Sequence, residues 1–362
     1  MKIEKVTLTN FRNYQKQTLN LGSGIHFIIG ANGEGKTNFL EAIYVLALAK
    51  SYKVEDSELI KYGEDFARIQ ATIVASERKS ELTMIVTEIG KKAMSNENEI
   101  KRLSDYIGNL NIVSFLPEDT TLIKGSPRDR RYYIDVFLGQ IDKNYLNDLS
   151  KYKHILKQRN ELLKKMSDAN DKEYTLLDVI TEQLAEQADK IIHRRRVFQK
   201  EINVLMQKMY QKLSNKKEVF VIEYMPSILA EDTSAFLKTK YRQDLMQKAT
   251  GFGPHRDDYD FMIDQYFAKN HASQGEQRMM VLALNMGLAE MVYLIKGERP
   301  VFLLDDVFSE LDTMRQNKLL EYLASSQMQA IITSTNLNEI KESIKKQAKI
   351  FRVSNGYIKE EL

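Results

Sequence analysis

The chain has 362 residues, 43% hydrophobic and 28% charged, which suits about two globular domains with a substantial core. It has no cysteine, which excludes disulfides, thiolate metal sites and a cysteine nucleophile, and its five histidines show no i, i+4 pair or His-Glu-x-x-His spacing that would suggest zinc. The net charge of +3 permits a nucleic-acid partner without demanding one; with no signal-peptide core and no apolar run near the ~18 residues of a membrane span, a cytoplasmic protein with no membrane partner is expected.

In chain order, "KIEKVTLTNF" and "GIHFIIG" read as strands and "TNFLEAIYVLALA" as a helix. "FARIQATIVAS", "KSELTMIVTEI" and "NIVSFLP" read as further strands, the last ended by Pro117. From Ser126 to about Leu213 glycine nearly vanishes, and two long helical patterns flank the polar turn "SDANDKEYT". "EVFVIEYMP" and the segment after "GFGPHR" return to strand. A polar loop, "SQGEQR", then opens the apolar helix "MMVLALNMGLAE". "RPVFLLDD", "TMRQNKLLEYLAS" and "QAIITST" read as strand, helix and strand before a terminal helix and hairpin. The α/β character of both ends implies one split domain, 1–115 with 298–362, and a mostly helical insertion, 116–297, carrying the SQGEQR loop.

"GANGEGKT", Gly30 to Thr37, fits G-x-x-x-x-G-K-[ST] between an apolar strand and a helix. Gly30, Gly33 and Gly35 allow a tight curl whose backbone N–H groups, together with those of Ala31, Asn32 and Glu34, form a nest for phosphates. Lys36 adds a point charge, Thr37 offers a hydroxyl to Mg²⁺, and Asn38 flanks the loop. "VFLLDD" places Asp305 and Asp306 at the end of a buried strand, where ligands bind in open α/β sheets. Asp305 is expected to hold Mg²⁺ and Asp306 to orient or deprotonate an attacking water.

The second helix start, at Ser273, also suits an anion: Gly275 permits close approach and the helix dipole favours negative charge. A single phosphate site does not need it, but a head-to-tail dimer does, with the Ser273 loop of one copy capping the γ-phosphate held by Lys36 of the other. "SELD", ending at Asp312, could run across the same interface, and "IITSTN" could present Ser334 or Thr335 to the γ-phosphate.

The order P-loop, S-x-G-x-Q, strand-Asp-Asp, S-x-L-D resembles the ABC ATPase superfamily. Within that superfamily, "LTNFRNY", "FLPED", "KGSPRDRRYYID", "GPHRDD" and "LLDDVFSELD" are similar to motifs of the RecF family of SMC-like heads, over essentially the whole chain. The resemblance implies an ABC-type ATPase head, ATP and Mg²⁺ as cofactors, and Arg12 reaching the nucleotide. It implies an ATP-dependent homodimer on double-stranded and gapped DNA, with RecR and RecO as partners in loading RecA, in replication, repair and the SOS response at the nucleoid. Glu276 stands where the family usually carries an amide, and no histidine occupies the switch position, so slow ATP hydrolysis is expected. The competing readings are an ABC transporter subunit, another SMC-like chromosomal ATPase, and a small-molecule kinase. The kinase reading leaves SQGEQR and SELD without a role.

For DNA, the 126–213 segment carries more net positive charge than the whole chain. Arg128, Arg130, Arg131, Lys151, Arg194, Arg195 and Arg196 are the candidate phosphate contacts. "GPHRDD", lacking a nucleophile, reads as a structural turn, with a DNA or nucleotide contact by Arg256 as the competing reading.

Overall fold

Buried and exposed side chains alternate along Lys2–Phe11 and Phe66–Ala75, as the two-residue period of half-buried strands requires. The computed structural model describes residues 1–166, 171–214, 217–338 and 340–361. Its strands are β1 (Lys2–Phe11), β2 (Tyr14–Asn20), β3 (Ile25–Ile29), β4 (Phe66–Ala75), β5 (Arg78–Thr87), β6 (Gly90–Ser95), β7 (Asn98–Ile100) and β8 (Ile112–Phe115). They continue with β9 (Phe220–Met225), β10 (Asp258–Ile263), β11 (Tyr266–Phe267), β12 (Val301–Leu304), β13 (Ala330–Ser334), β14 (Lys349–Ser354) and β15 (Tyr357–Glu361).

By its internal contacts the chain divides into two units. The first, 1–121 with 205–219 and 272–362, holds two sheets. One is antiparallel, in the order β2-β1-β4-β5-β6-β7. The other has the order β15-β14-β3-β13-β12-β8 and is parallel apart from β15. Every residue of β3, β12 and β13 is buried, as expected for parallel strands covered on both faces. Buried Gln329 ties the sheets together: it accepts from the Ile3 N–H and donates to the Ile3 carbonyl.

The helix Gln274–Lys296 packs on β8. It is long and apolar enough to span a membrane by composition, but most of it lies in the core of this unit. The expected division at 116–297 therefore shifts: 272–297 and 205–219 belong with the phosphate loop, because the apolar face of that helix is needed to cover the parallel sheet.

The second unit, 122–204 with 220–271, contains the helices Pro127–Ile141 and Lys143–Lys165, most of Asp171–Ser214, and a sheet in the order β11-β10-β9. The turn expected at 167–175 falls partly outside the described residues, and from Asp171 onward the chain is helical. Ser126 and Asp129 form a reciprocal capping box with Pro127 in the first turn, and Asp142 caps the next helix through the Asn144 and Tyr145 N–H groups.

The interior of this unit is organised by ions, which corrects two of the DNA assignments. Arg195 is 1% exposed and bonds Asp257 at 2.9 Å, Asp135 at 2.8 Å and the Pro254 carbonyl at 2.8 Å. Arg130 is also buried and forms a bidentate pair with Asp258 at 2.8 and 2.9 Å. Neither guanidinium is available to DNA, since each is consumed by the carboxylates of "GPHRDD" or its neighbours. Arg131 is half-buried and donates to the Asp257 carbonyl, and Arg194 pairs with Asp142. Arg128, Lys151 and Arg196 are exposed. Asp257 also accepts from the Ser227 N–H and the Tyr224 hydroxyl, so "GPHRDD" is a structural hub. Gly253 has φ +132°, and a Cβ there would collide with the Tyr152 hydroxyl.

Two outcomes follow from this interior. Arg195→Ala should lower stability by about 3–5 kcal/mol, because it strands two carboxylates, while Arg196→Ala should stay within about 0.5 kcal/mol of the parent. Urea unfolding compares them, and equal midpoints would contradict the hub. The His255 ring bonds the Tyr152 hydroxyl at 2.6 Å and the Thr250 carbonyl at 3.0 Å. Burial lowers its pKa to about 4, against opposing backbone and Asp257 contributions. The folded state then binds fewer protons than the unfolded chain between about pH 4 and 6.5, so this histidine's contribution is complete above about pH 6.5 and is lost as pH falls toward 4. An NMR titration of His255 should give a midpoint near 4; an ordinary midpoint would contradict the neutral, doubly bonded ring.

Candidate functional site

The site lies at the carboxyl edge of the parallel sheet. β13 sits between β3 and β12, so the loop after β3 and the carboxylates after β12 emerge on one edge. Gly35 caps the helix Lys36–Leu48 with φ +116°, and Gly33 has φ +85°, both left-handed values that favour glycine. Gly30 is needed for a different reason: a Cβ there would lie 2.6 Å from the Val353 carbonyl oxygen. The helix has no acidic residue in its first turn, which leaves its positive end uncompensated. Ala31 and Asn32 are exposed at the loop tip.

Lys36 folds back over the loop, donating to the carbonyls of Gly30 at 2.8 Å and Ala31 at 2.9 Å. Burial lowers its pKa, while Asp306, Asp305 and Glu34 favour its charge. Thr37 donates to Asp305 Oδ1 at 3.0 Å, and Thr333 of β13 donates to the same oxygen at 2.6 Å. Thr333 also accepts from the Asp306 N–H at 2.9 Å. Burial raises the pKa of Asp305, against the two hydroxyl bonds that lower it. A hydroxyl and a carboxylate meeting at a buried edge fit a hard divalent cation, whose charge would offset that desolvation. Among the described residues no three histidine, aspartate or glutamate side chains form a metal cluster, so such a cation would complete its shell with ligand and water oxygens. Asp306 has φ +49°, and its carboxylate accepts from Ser309.

The structure thus gathers Lys36, Thr37, Asp305 and Asp306 at one edge. Ser334 is buried and donates to the Asn336 carbonyl, and Thr335 is exposed. Arg12 is turned inward: its Nε bonds Glu41 at 2.9 Å and its Nη1 the Glu58 carbonyl at 3.1 Å. Asn38 donates to Asn13 Oδ1, so its amide supports the loop.

The second helix start forms its own arrangement. Ser273 caps Gln274–Lys296 in a capping box with Glu276, whose carboxylate accepts from the Ser273 N–H and hydroxyl, both at 2.9 Å. Gly275 lies beside Arg315, a Cβ on it falling 3.9 Å from Nη1, and Arg315 pairs with Asp312 at 3.2 Å. Asp312 in turn caps the helix Thr313–Ser325 through the Arg315 N–H. Among the described residues no hydrogen bond joins Ser273 or Asp312 to Lys36, Thr37 or Asp305.

Three residues were missed from sequence. Asn13 Nδ2 donates to the Glu34 carbonyl at 2.9 Å, the Tyr14 hydroxyl donates to the Gly35 carbonyl at 2.8 Å, and Thr333 bridges the two aspartates. "FRNY" contained the first two, but only strand pairing brings the β1–β2 turn to the loop. Asn13→Ala removes both amide bonds to the loop, each worth about 1 kcal/mol net. Amides of 31–36 should then exchange with solvent about tenfold faster by hydrogen-exchange mass spectrometry, and unchanged protection would show the loop stands without Asn13.

Comparison with known proteins agrees with this geometry. The model of the RecF/RecN/SMC N terminal domain matches residues 2–359. The chain is 39% identical to the DNA replication and repair protein RecF of Staphylococcus epidermidis, over 99% of this chain and 100% of that one. It is 40% identical to RecF of Shouchella clausii, over 99% of both chains. Among solved structures it is similar to the recombination mediator protein RecF bound to ATP, in the RecFOR pathway, with a TM-score of 0.91, 31% identity, and coverage of 99% of this chain and 97% of that chain. The Smc head domain of Pyrococcus furiosus, at 18% identity and a TM-score of 0.57, shares the fold. With a full-length match of this kind, the carboxyl-edge site sits on an ABC-type ATPase head, and the chain belongs to the RecF family.

Proposed function

We propose that the chain is an ATP-dependent DNA-binding protein of recombinational repair, which dimerises head to tail on ATP and hydrolyses it slowly to let go. The observation that carries this reading is the convergence of Lys36, Thr37 and Asp305 at one sheet edge, in a chain similar throughout to an ATP-bound RecF. The loop and Lys36 bind the β- and γ-phosphates, and Thr37 and Asp305 hold Mg²⁺, which supplies charge neutralisation when bound. Asp306 orients the attacking water. Its backbone is fixed by Thr333 and its carboxylate by Ser309, so the carboxylate is positioned before ligand arrives.

Ser273 and Gly275 cap the γ-phosphate from the partner copy, and Asp312 lies at that interface. In the free protein the Glu276 carboxylate already occupies the helix start, so the trans contact must displace a like charge. This lowers the gain on closure and suits a reversible switch. Double-stranded and gapped DNA is held through phosphates by exposed basic residues of the second unit, Arg128, Lys151 and Arg196 among them, in a pathway with RecR and RecO.

Solution mass measured without nucleotide, with ADP and with ATP, each with and without duplex DNA, tests the reading. A dimer is expected only with ATP. Ser273→Arg should bind ATP within about twofold of the parent yet remain monomeric, and Lys36→Met should lose ATP binding by more than about tenfold. Equal ATP-induced dimerisation of parent and Ser273→Arg would remove the trans contact. Monomers under every condition would leave an ATP-binding head that acts through another protein.

A further inference from the structure

The strongest unexplained group is the hydroxyl of Tyr52. It follows the helix Lys36–Leu48, in a loop pinned by Ser51, whose Oγ accepts from the N–H groups of Lys53 at 2.9 Å and Val54 at 3.1 Å. Ser51 in turn donates to Glu41 at 2.6 Å. The Tyr52 ring is held edge-on to Tyr44, with centroids 4.9 Å apart and planes at 75°. Ring and backbone are both fixed, yet the Tyr52 oxygen is buried and, among the described residues, makes no hydrogen bond. A buried donor without a partner is uncommon and destabilising.

Its surroundings narrow what it can bind. Burial first, and then the negative charges of Asp305, Glu41 and Glu118, raise its pKa, so it stays a protonated donor. Two of those carboxylates are already engaged: Glu41 accepts from Arg12 and Ser51, and Asp305 from Thr37 and Thr333. Glu41 lies one helical turn beyond Thr37, on the same face. The hydroxyl is therefore a fixed, neutral donor in a loop tied through Ser51 to Glu41, one helical turn from Thr37, and among the described residues no oxygen accepts from it.

We propose that Tyr52 is a ligand-binding residue of the nucleotide site, its hydroxyl donating to an oxygen of the bound nucleotide–cation assembly. This rests on the ATP reading above and adds a residue outside the phosphate loop. The acceptor is a phosphate oxygen or a cation-bound water, which share the same chemistry. Either gives the hydroxyl a partner only in the loaded state, so binding relieves an unsatisfied group.

The test is Tyr52→Phe in the full chain, with thermal unfolding and ATP affinity measured without ligand, with ATP and EDTA, and with ATP and Mg²⁺. The ligand-free variant should unfold at the same or a higher temperature than the parent, because a buried unpartnered oxygen is gone. Its affinity for ATP with Mg²⁺ should fall about tenfold. A loss with and without Mg²⁺ identifies a phosphate oxygen; a loss confined to Mg²⁺ identifies a coordinated water. A lower ligand-free unfolding temperature with unchanged ATP affinity would make the hydroxyl structural and overturn the assignment, as would unchanged behaviour throughout. If the parent shows no ATP-dependent shift, the site reading itself fails, and the assignment with it.

Discussion

One carboxylate oxygen holds the functional edge of this protein together. Asp305 Oδ1, at the end of β12, accepts from Thr37 on the phosphate-loop helix and from Thr333 at the end of β13. Three chain segments distant in sequence converge on that atom. The sheet order makes this possible, because β13 separates β3 from β12 by one strand spacing on each side. Burial makes the charge costly there, and the two hydroxyls offset the cost only in part. The two hydroxyls and the carboxylate together form an oxygen-rich edge of the kind that suits a hard cation.

The same physical constraint recurs in the second unit with a different outcome. There Asp257 and Asp258 are also carboxylates in a largely buried setting, but Arg195 and Arg130 neutralise them permanently. A carboxylate paired with arginine is a structural element, whereas one paired with hydroxyls retains capacity for a metal. The two acidic pairs, Asp257–Asp258 and Asp305–Asp306, look alike in sequence and differ by their partners.

The phosphate loop depends on support from the antiparallel sheet. The β1–β2 turn supplies Asn13 and Tyr14 to the carbonyls of Glu34 and Gly35, and Gln329 ties β1 to the segment entering β13. An edge sheet that looks peripheral to the chemistry therefore sets the loop's shape. The Ser273 helix start is organised separately, by Glu276 and by Arg315 between Gly275 and Asp312. The contact with a second copy proposed above would give that separation a purpose.

The sequence by itself determined the phosphate loop, the buried strand ending in Asp305 and Asp306, and the alternation of strands and helices. Each is a local signal: glycine spacing, an apolar run ended by charge, or a hydrophobic period. It also placed "GPHRDD" as a structural turn. Only the tertiary structure decided which arginines face solvent. "RDRR" and "HRRR" each mix buried and exposed guanidiniums, because a helix turns successive residues about 100° apart and the partners come from distant strands. It likewise decided the unit boundary, since the helix after Ser273 joins whichever sheet its apolar face must cover. And it alone revealed Asn13, Thr333 and Tyr52, whose roles follow from what strand order and loop packing set beside them, a relation that no spacing along the chain encodes.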